Sequence, residues 1–400
     1  MISKDKLRSL GQLATLFSKL GSIGFGGLAV QISMMEHEVV GRRKWLTHQK
    51  FLDIVGATNL IPGPNSIEVA IHVGYLQAGW LGFAVSGICF VLPSALFTIG
   101  FALVYMEFGT LPQIAPFLEG IQPVVLAVIL VATWKLGKTA VKNWRLAVVG
   151  VVVIIAEILG MNEMMVILLG GVVGMFWLRF YERLKPRTDE QGMSESESPT
   201  FGIPKTVVIL LITLAAILLI DIGASRGISL WKLSMFFLKV GSLLYGSGYI
   251  LIAFLEGGLV HDLGWLTQQQ LWDAIAIGQV TPGPLLSTAT FIGYLLLGVP
   301  GALVATVSIF LPSFLFSAAL NSVIPQLRRF RWTSAFLDAV NISSVALMAS
   351  VLVKLSQSAL TSWQGWLIAL SACIISFRWK VNVVFLIVGG AISGWILFRL

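Results

Sequence analysis

Two short strings carry the chemistry of this chain. The first runs Asn59-Leu60-Ile61-Pro62-Gly63-Pro64-Asn65-Ser66. The second runs Gln279-Val280-Thr281-Pro282-Gly283-Pro284 and leads into Ser287 and Thr288. Proline removes an amide donor and clashes with the preceding turn, so each Pro-Gly-Pro must break a helix. A helix that restarts after the break presents its first N–H groups and the positive end of its dipole. Asn65, Ser66, Ser287 and Thr288 are residue types that suit such a start. With the side-chain amides of Asn59 and Gln279, they make a set of donors that an anion would accept.

Two cations belong to the same set. Lys19 and Lys239 stand in apolar surroundings beside the glycine-rich strings Gly21–Gly27 and Gly241–Gly248. A cation within a membrane is a candidate for function, and an anionic cargo would favour it; a lysine snorkelling to the interface is the alternative. Ser22, Gly26 and Gly27 in the first string and Ser242, Gly246 and Ser247 in the second complete the candidate site, with close helix packing as the competing use of the glycines. Glu68 follows the first Pro-Gly-Pro and has no acidic counterpart after the second. It is a candidate proton carrier, or a repeller of unwanted anions, or a glutamate placed by the helix dipole. His72 is expected to be a packed histidine.

Other chemistry finds little support. Cys89 and Cys373 are isolated, and no Cys/His or Ser-His-Asp constellation is present. No enzyme activity, metal or cofactor is therefore expected. The string "ATWKLGKT" (132–139) lacks the first glycine of a P-loop, which argues against ATP as the energy source.

The elements that must hold these residues lie in lipid. The 400 residues are 56% hydrophobic and 12% charged, with mean hydropathy +0.88; a soluble domain carries about 25% charged residues. The stretch 81–104 has no charged residue at all, and about 20 apolar residues span a bilayer. The net charge of +8 is spread between apolar runs rather than massed in one basic domain. That pattern fits cytoplasmic loops and excludes a nucleic-acid partner. Lys19 interrupts the first apolar run and no cleavage site follows, so the terminus is expected to stay uncleaved.

The chain is written twice. Phe17, Lys19, Gly21, Ser22, Gly26, Glu36, Asp53 and Pro62-Gly63-Pro64 recur without a gap as Phe237, Lys239, Gly241, Ser242, Gly246, Glu256, Asp273 and Pro282-Gly283-Pro284. One residue shorter in offset, Leu92-Pro93-Ser94 recurs as Leu311-Pro312-Ser313, and Lys135 as Lys354. The repeats are 1–180 and 225–400, each with about six hydrophobic elements. A polar loop, 181–205, and one unmatched apolar run, 206–222, lie between them. An even number of elements plus one extra helix turns the second repeat upside down.

Charge agrees with that inversion. The loop 36–50 is basic and its counterpart 256–270 has no lysine or arginine; 106–116 is bare and 326–332 is basic. The bias reverses at each comparison, as inverted-topology repeats require. The amino terminus and 36–50 are both basic, so the segments 10–35 and 51–78 are expected to be re-entrant hairpins rather than crossings. The fold class is thus an all-α polytopic membrane protein with two inverted repeats, broken or re-entrant at Pro-Gly-Pro. The amino terminus and 181–205 are expected on the cytoplasmic side of a plasma (inner) membrane.

These motifs resemble those of the chromate ion transporter family. Phe25-Gly26-Gly27, Pro62-Gly63-Pro64 and Gly74-Tyr75 stand where its first domain carries them, and Tyr245-Gly246-Ser247, Pro282-Gly283-Pro284 and Gly293-Tyr294 where its second does. The second glycine string departs from the pattern. The likeness covers nearly the whole chain and is to the long, two-domain branch. It implies efflux of chromate, with sulfate as analogue. The expected mechanism, from the inverted repeats and the charge of a dianion, is alternating access driven by the membrane potential or a proton gradient. Sulfate uptake by symport and a passive anion channel are the rival readings. The expected partners are the anion and the lipid bilayer, and a homodimer stays open.

Overall fold

The computed structural model describes residues 4–24, 28–58, 61–109, 115–184, 227–245, 248–327, 331–379 and 381–398. The described residues are helical, with no strand among them. The linking run 206–222 and most of the polar loop fall outside them. The first repeat holds α1 (Lys4–Ile23), α2 (Leu28–Glu36), a π-helix (His37–Arg42), α3 (His48–Thr58), α4 (Asn65–Phe108), α5 (Ala115–Ala140), α6 (Trp144–Ile158) and α7 (Glu163–Leu184). The second holds α8 (Leu230–Leu243), α9 (Ile250–Leu255), a π-helix (Glu256–Asp262), α10 (Gln268–Val280), α11 (Thr288–Leu327), α12 (Arg331–Ala359), α13 (Trp363–Arg378) and α14 (Val383–Leu397). The order matches element by element, including the two π-helices.

Sequence explains where these helices begin. Pro64 and Pro284 stand extended (ψ 105° and 137°) just before α4 and the short 3-10 turn that leads into α11. Ser229, Thr267, Ser362 and Asn143 cap α8, α10, α13 and α6 through their side chains. Such caps satisfy amides that have no partner within their own helix.

α4 and α11 each fold back on themselves. At Ala78-Gly79 the backbone leaves the helix, with Gly79 at φ 67°, ψ −148°. Leu297-Gly298 repeats the break, with Gly298 at φ 64°, ψ −153°. Only glycine takes that conformation without strain. The limbs on either side lie back to back. A Cβ on Gly74 would collide with the Gly82 carbonyl and the reverse, and Gly293 and Gly301 stand likewise. Thr290 and Thr306 join the limbs of α11 at 2.8 Å. The first limb of α4, residues 65–77, is only about 20 Å long, whereas residues 80–108 are long enough to span.

The hairpins show in side-chain contacts as well. Tyr105, near the end of α4, donates its hydroxyl to Asp273 of α10 at 2.7 Å and stacks edge-on with Phe291 in the first limb of α11. Both arms that flank the second Pro-Gly-Pro therefore reach the same place. Lys19, late in α1, meets Glu38 in the π-helix that follows α2 at 3.1 Å, so the chain returns alongside α1.

The repeats are interleaved. α6 and α7 pack on α12, while α13 and α14 pack on α5; α4 also packs on α11. Among the described residues, four helices are long and apolar enough to cross a membrane, and they carry exposed side chains such as Trp80, Leu96, Leu103 and Val307. A continuous apolar surface of this kind suits lipid.

Candidate functional site

Each break predicted from a Pro-Gly-Pro string meets the glycine-rich string of the other repeat. The Gly63 N–H donates to the carbonyl of Leu244 at 2.5 Å, and the Gly283 N–H donates to the carbonyl of Gly24 at 3.2 Å. Gly24 and Leu244 are matched positions, so one bond is the repeat-related copy of the other. Each central glycine of Pro-Gly-Pro thus caps the glycine-rich string of the opposite repeat. Both take a positive φ, 140° at Gly63 and 102° at Gly283. A side chain at either position would also run into neighbours: Glu68 and Ser313 at Gly63, Ser94 at Gly283.

The surroundings are buried and rich in hydroxyls. Ser94 and Ser313, the serines of the repeated Leu-Pro-Ser, are fully buried, and neither hydroxyl has a partner among the described residues. Ser287 and Ser317 share that condition. Asn65, Ser66 and Thr288 are also buried. The Thr288 hydroxyl donates to the Leu285 carbonyl at 2.8 Å, and Gln279 bonds Tyr249. Unpaired buried donors are costly, and ordinarily almost all are satisfied. Ser313 stands beside Gly63 and Ser94 beside Gly283, each next to the broken helix of the opposite repeat, where an unpaired hydroxyl can serve a hydrogen-bond acceptor.

Glu68 belongs to this centre. It is fully buried, and neither carboxyl oxygen has a hydrogen-bond partner among the described residues. His72 is buried one turn further on, its Nδ1 2.8 Å from the Glu68 carbonyl oxygen. The predicted packed histidine is thus packed.

The two lysines differ. The Lys19 side chain is 50% exposed and forms one wall of an open cleft with Ser33, Met34, His37 and Glu38. Glu38 also faces Arg42 at 3.3 Å and Arg43 at 3.6 Å. Burial alone would raise the Glu38 carboxyl, but Lys19 and Arg42 outweigh it and hold it below the usual carboxylate range. Lys19 is therefore engaged at a surface cleft, whereas Lys239 is buried within α8. Ser22 and Ser242 turn their hydroxyls back onto their own helices, donating to Ser18 and Leu238 at 2.8 and 2.7 Å. Gly26, Gly27, Asn59, Gly246 and Ser247 lie outside the described residues. Pro62, Gly63, Pro64, Asn65, Ser66, Pro282, Gly283, Pro284, Ser287 and Thr288 are the predicted residues that the fold brings to the cross-repeat contact or the helix starts beside it.

Sequence reasoning used Leu-Pro-Ser only to align the repeats. Its recurrence after each Pro-Gly-Pro was the available signal for Ser94 and Ser313. What it lacked was the fold-back of α4 and α11, which carries each serine to a glycine it does not neighbour in sequence.

Comparison with known proteins adds an independent line. A family model described as "Chromate transporter" matches residues 11–175 and again 231–395. A chromate transport protein of Cupriavidus metallidurans is 30% identical over 98% of this chain and 94% of its own length. A probable chromate transport protein of Synechococcus elongatus is 29% identical over 96% of this chain and 95% of its own. An uncharacterized transporter of Bacillus subtilis, YwrB, is 25% identical over 44% of this chain, which is 93% of that protein. No solved structure matches.

Proposed function

The chain belongs to the chromate transporter family, and from that premise we propose that it exports chromate, a tetrahedral oxyanion with sulfate as its analogue. The reading is a secondary transporter in the plasma (inner) membrane that works by alternating access. The observation that carries it is the pair of repeat-related bonds, Gly63 to Leu244 and Gly283 to Gly24. Each sets the broken helix of one repeat against the glycine-rich string of the other, with an unpartnered serine hydroxyl beside it. Backbone amides and hydroxyls there can replace the water around an oxyanion.

Inversion of the repeats is part of the reading. Tyr105 and Asp273, which flank lysine-poor loops, meet at 2.7 Å, and Gln122 meets Gln269 at 2.8 Å. Lys142, in a basic loop, meets Asp338, near the basic 326–332 stretch, at 2.6 Å. Contacts that join like-charged sides favour repeats of opposite orientation, with the amino terminus and 181–205 cytoplasmic.

Energetics favours export. Moving one charge through 100 mV is worth about 2.3 kcal/mol, so a dianion leaving a negative interior gains about 4.6 kcal/mol. The test is uptake of radiolabelled chromate by everted membrane vesicles under an imposed inside-positive potential. Saturable, potential-dependent uptake that excess sulfate inhibits is expected. Absence of uptake under any gradient, in vesicles that contain the protein, would remove chromate as the cargo.

A further inference from the structure

We propose that the Glu68 carboxyl occupies the oxyanion's own place in this conformation, and that it gives way only as the neutral acid, so that one proton is bound with each dianion. This rests on the oxyanion reading above and adds a coupling to it.

Three observations carry the inference. The first is position. Glu68 lies in the first turn of α4, and its Oε1 folds back to where a side chain on Gly63 would stand, beside the Ser313 hydroxyl. The carboxyl therefore sits over the helix start and the hydroxyl that an oxyanion would use. The carboxyl fills the space from which an oxyanion would reach these donors, so the two exclude each other.

The second is isolation. Glu68 is fully buried and neither oxygen is hydrogen-bonded among the described residues. The groups that face it are few. Tyr245, from the glycine-rich string of the second repeat, lies within Coulombic range. Ser313 comes from α11, and His72 lies on its own helix and touches its carbonyl rather than its carboxyl. Lys19 is held by Glu38 at the surface cleft. No described cation forms an ion pair with Glu68 that could hold its charge while a dianion arrives.

The third is asymmetry. The repeat-related position after the second Pro-Gly-Pro is Thr288 counted from Pro284, or Ser287 counted back from Gly293; both are hydroxyls. One helix start carries a hydroxyl and the other a carboxyl, although the glycines, prolines and serines around them are matched. A carboxyl is not needed to build the fold at this point.

The chemistry follows. An ionised Glu68 and a dianion in one water-poor site repel each other strongly. Protonation converts the carboxylate to an acid whose O–H donates to the oxyanion, so repulsion becomes a hydrogen bond. The proton comes from the solution on the side where the anion binds and leaves on the other side, with the anion or when the carboxylate reclaims its place, so one net negative charge crosses per cycle, half of what drives export of the bare dianion.

The experiment is calorimetric titration of purified full-length protein with sulfate, repeated in buffers of different ionisation heat and across a pH series. At pH values where the free carboxyl is ionised, the wild type is expected to take up close to one proton per sulfate, with affinity falling by up to about tenfold per pH unit; at lower pH, where the free carboxyl is already the acid, both the uptake and the slope should vanish. Glu68→Gln should bind sulfate with no proton uptake and no pH slope. Glu68→Asp, which keeps the titrating group, should retain both. Binding by Glu68→Gln where the wild type shows none would also support a blocking carboxyl. Sulfate binding to the wild type with no proton uptake and no pH slope at any pH of the series would overturn the coupling and leave the oxyanion reading intact. No binding of sulfate or chromate by any of the three would overturn both.

Discussion

At the scale of single residues, the two Pro-Gly-Pro glycines are the most constrained positions in the site. Each combines a positive φ with a crowded Cβ direction and a hydrogen bond to the other repeat. Gly63→Ala should therefore cost about 1–3 kcal/mol in backbone strain alone and push Glu68 and Ser313 aside. Transport is expected to fall at least tenfold while the protein still reaches the membrane. Gly11→Ala is the control: nothing lies within 4 Å of its Cβ direction, and alanine favours a helix, so transport should not change. Equal transport by the two variants would count against a role for the cross-repeat bond. The importance of Gly63 and Gly283 was legible in sequence because proline and glycine act locally. The surface engagement of Lys19 was not, because Glu38 reaches it only after α2 has turned the chain back.

At the scale of elements, the question is whether the broken segments cross or return. The shared contacts of Tyr105 with Asp273 and Phe291, and of Lys19 with Glu38, favour return. The consequence is a specific pattern of sidedness. In a chain with Cys89 and Cys373 replaced by serine, Lys50→Cys and Gln77→Cys should react with an impermeant maleimide from one side of the membrane. Gln269→Cys and Val299→Cys should both react from the other side. Opposite sidedness for 50 and 77 would sink the hairpin, and the same side for 50 and 269 would sink the inversion. Loop charge made the hairpins foreseeable, since two successive basic segments need an even number of passes between them. The break at Ala78-Gly79 falls where the hairpin reading of 51–78 ends and the apolar stretch 81–104 begins. The tight apposition of its limbs, Gly74 against Gly82, was not legible, because the residues on both sides are apolar and the sequence does not say which of them touch.

At the scale of the whole molecule, the repeats are not separate bodies. α6 and α7 bury their inner faces on α12, and α13 and α14 bury theirs on α5. Polar contacts follow the same exchange: Lys354 of α12 pairs with Glu157 of α6, and Ser350 of α12 donates to the same carboxylate. Glu157 is buried whereas the Lys354 side chain is half-exposed, so losing Lys354 would leave a buried carboxylate without its counter-charge. The repeat itself was plain in the sequence, but this exchange was not, because an internal match says which segments are alike and not which ones touch. It has a direct consequence for a divided chain. A break placed in the 181–205 loop leaves each part with helices whose partners are on the other part. Either part produced alone is expected to be degraded or inactive, since α12 without α6 and α7 leaves Lys354 unpaired and a packed face open. Produced together, the two parts should assemble in one membrane, because the contacts that hold the molecule run between the repeats and not through the loop. Recovery of chromate uptake in everted vesicles, with the two parts isolated as one complex, is the expected result. Independent stability of the first part, with unaltered protease resistance in the absence of the second, would mean that the exchange of helices does not hold the fold together.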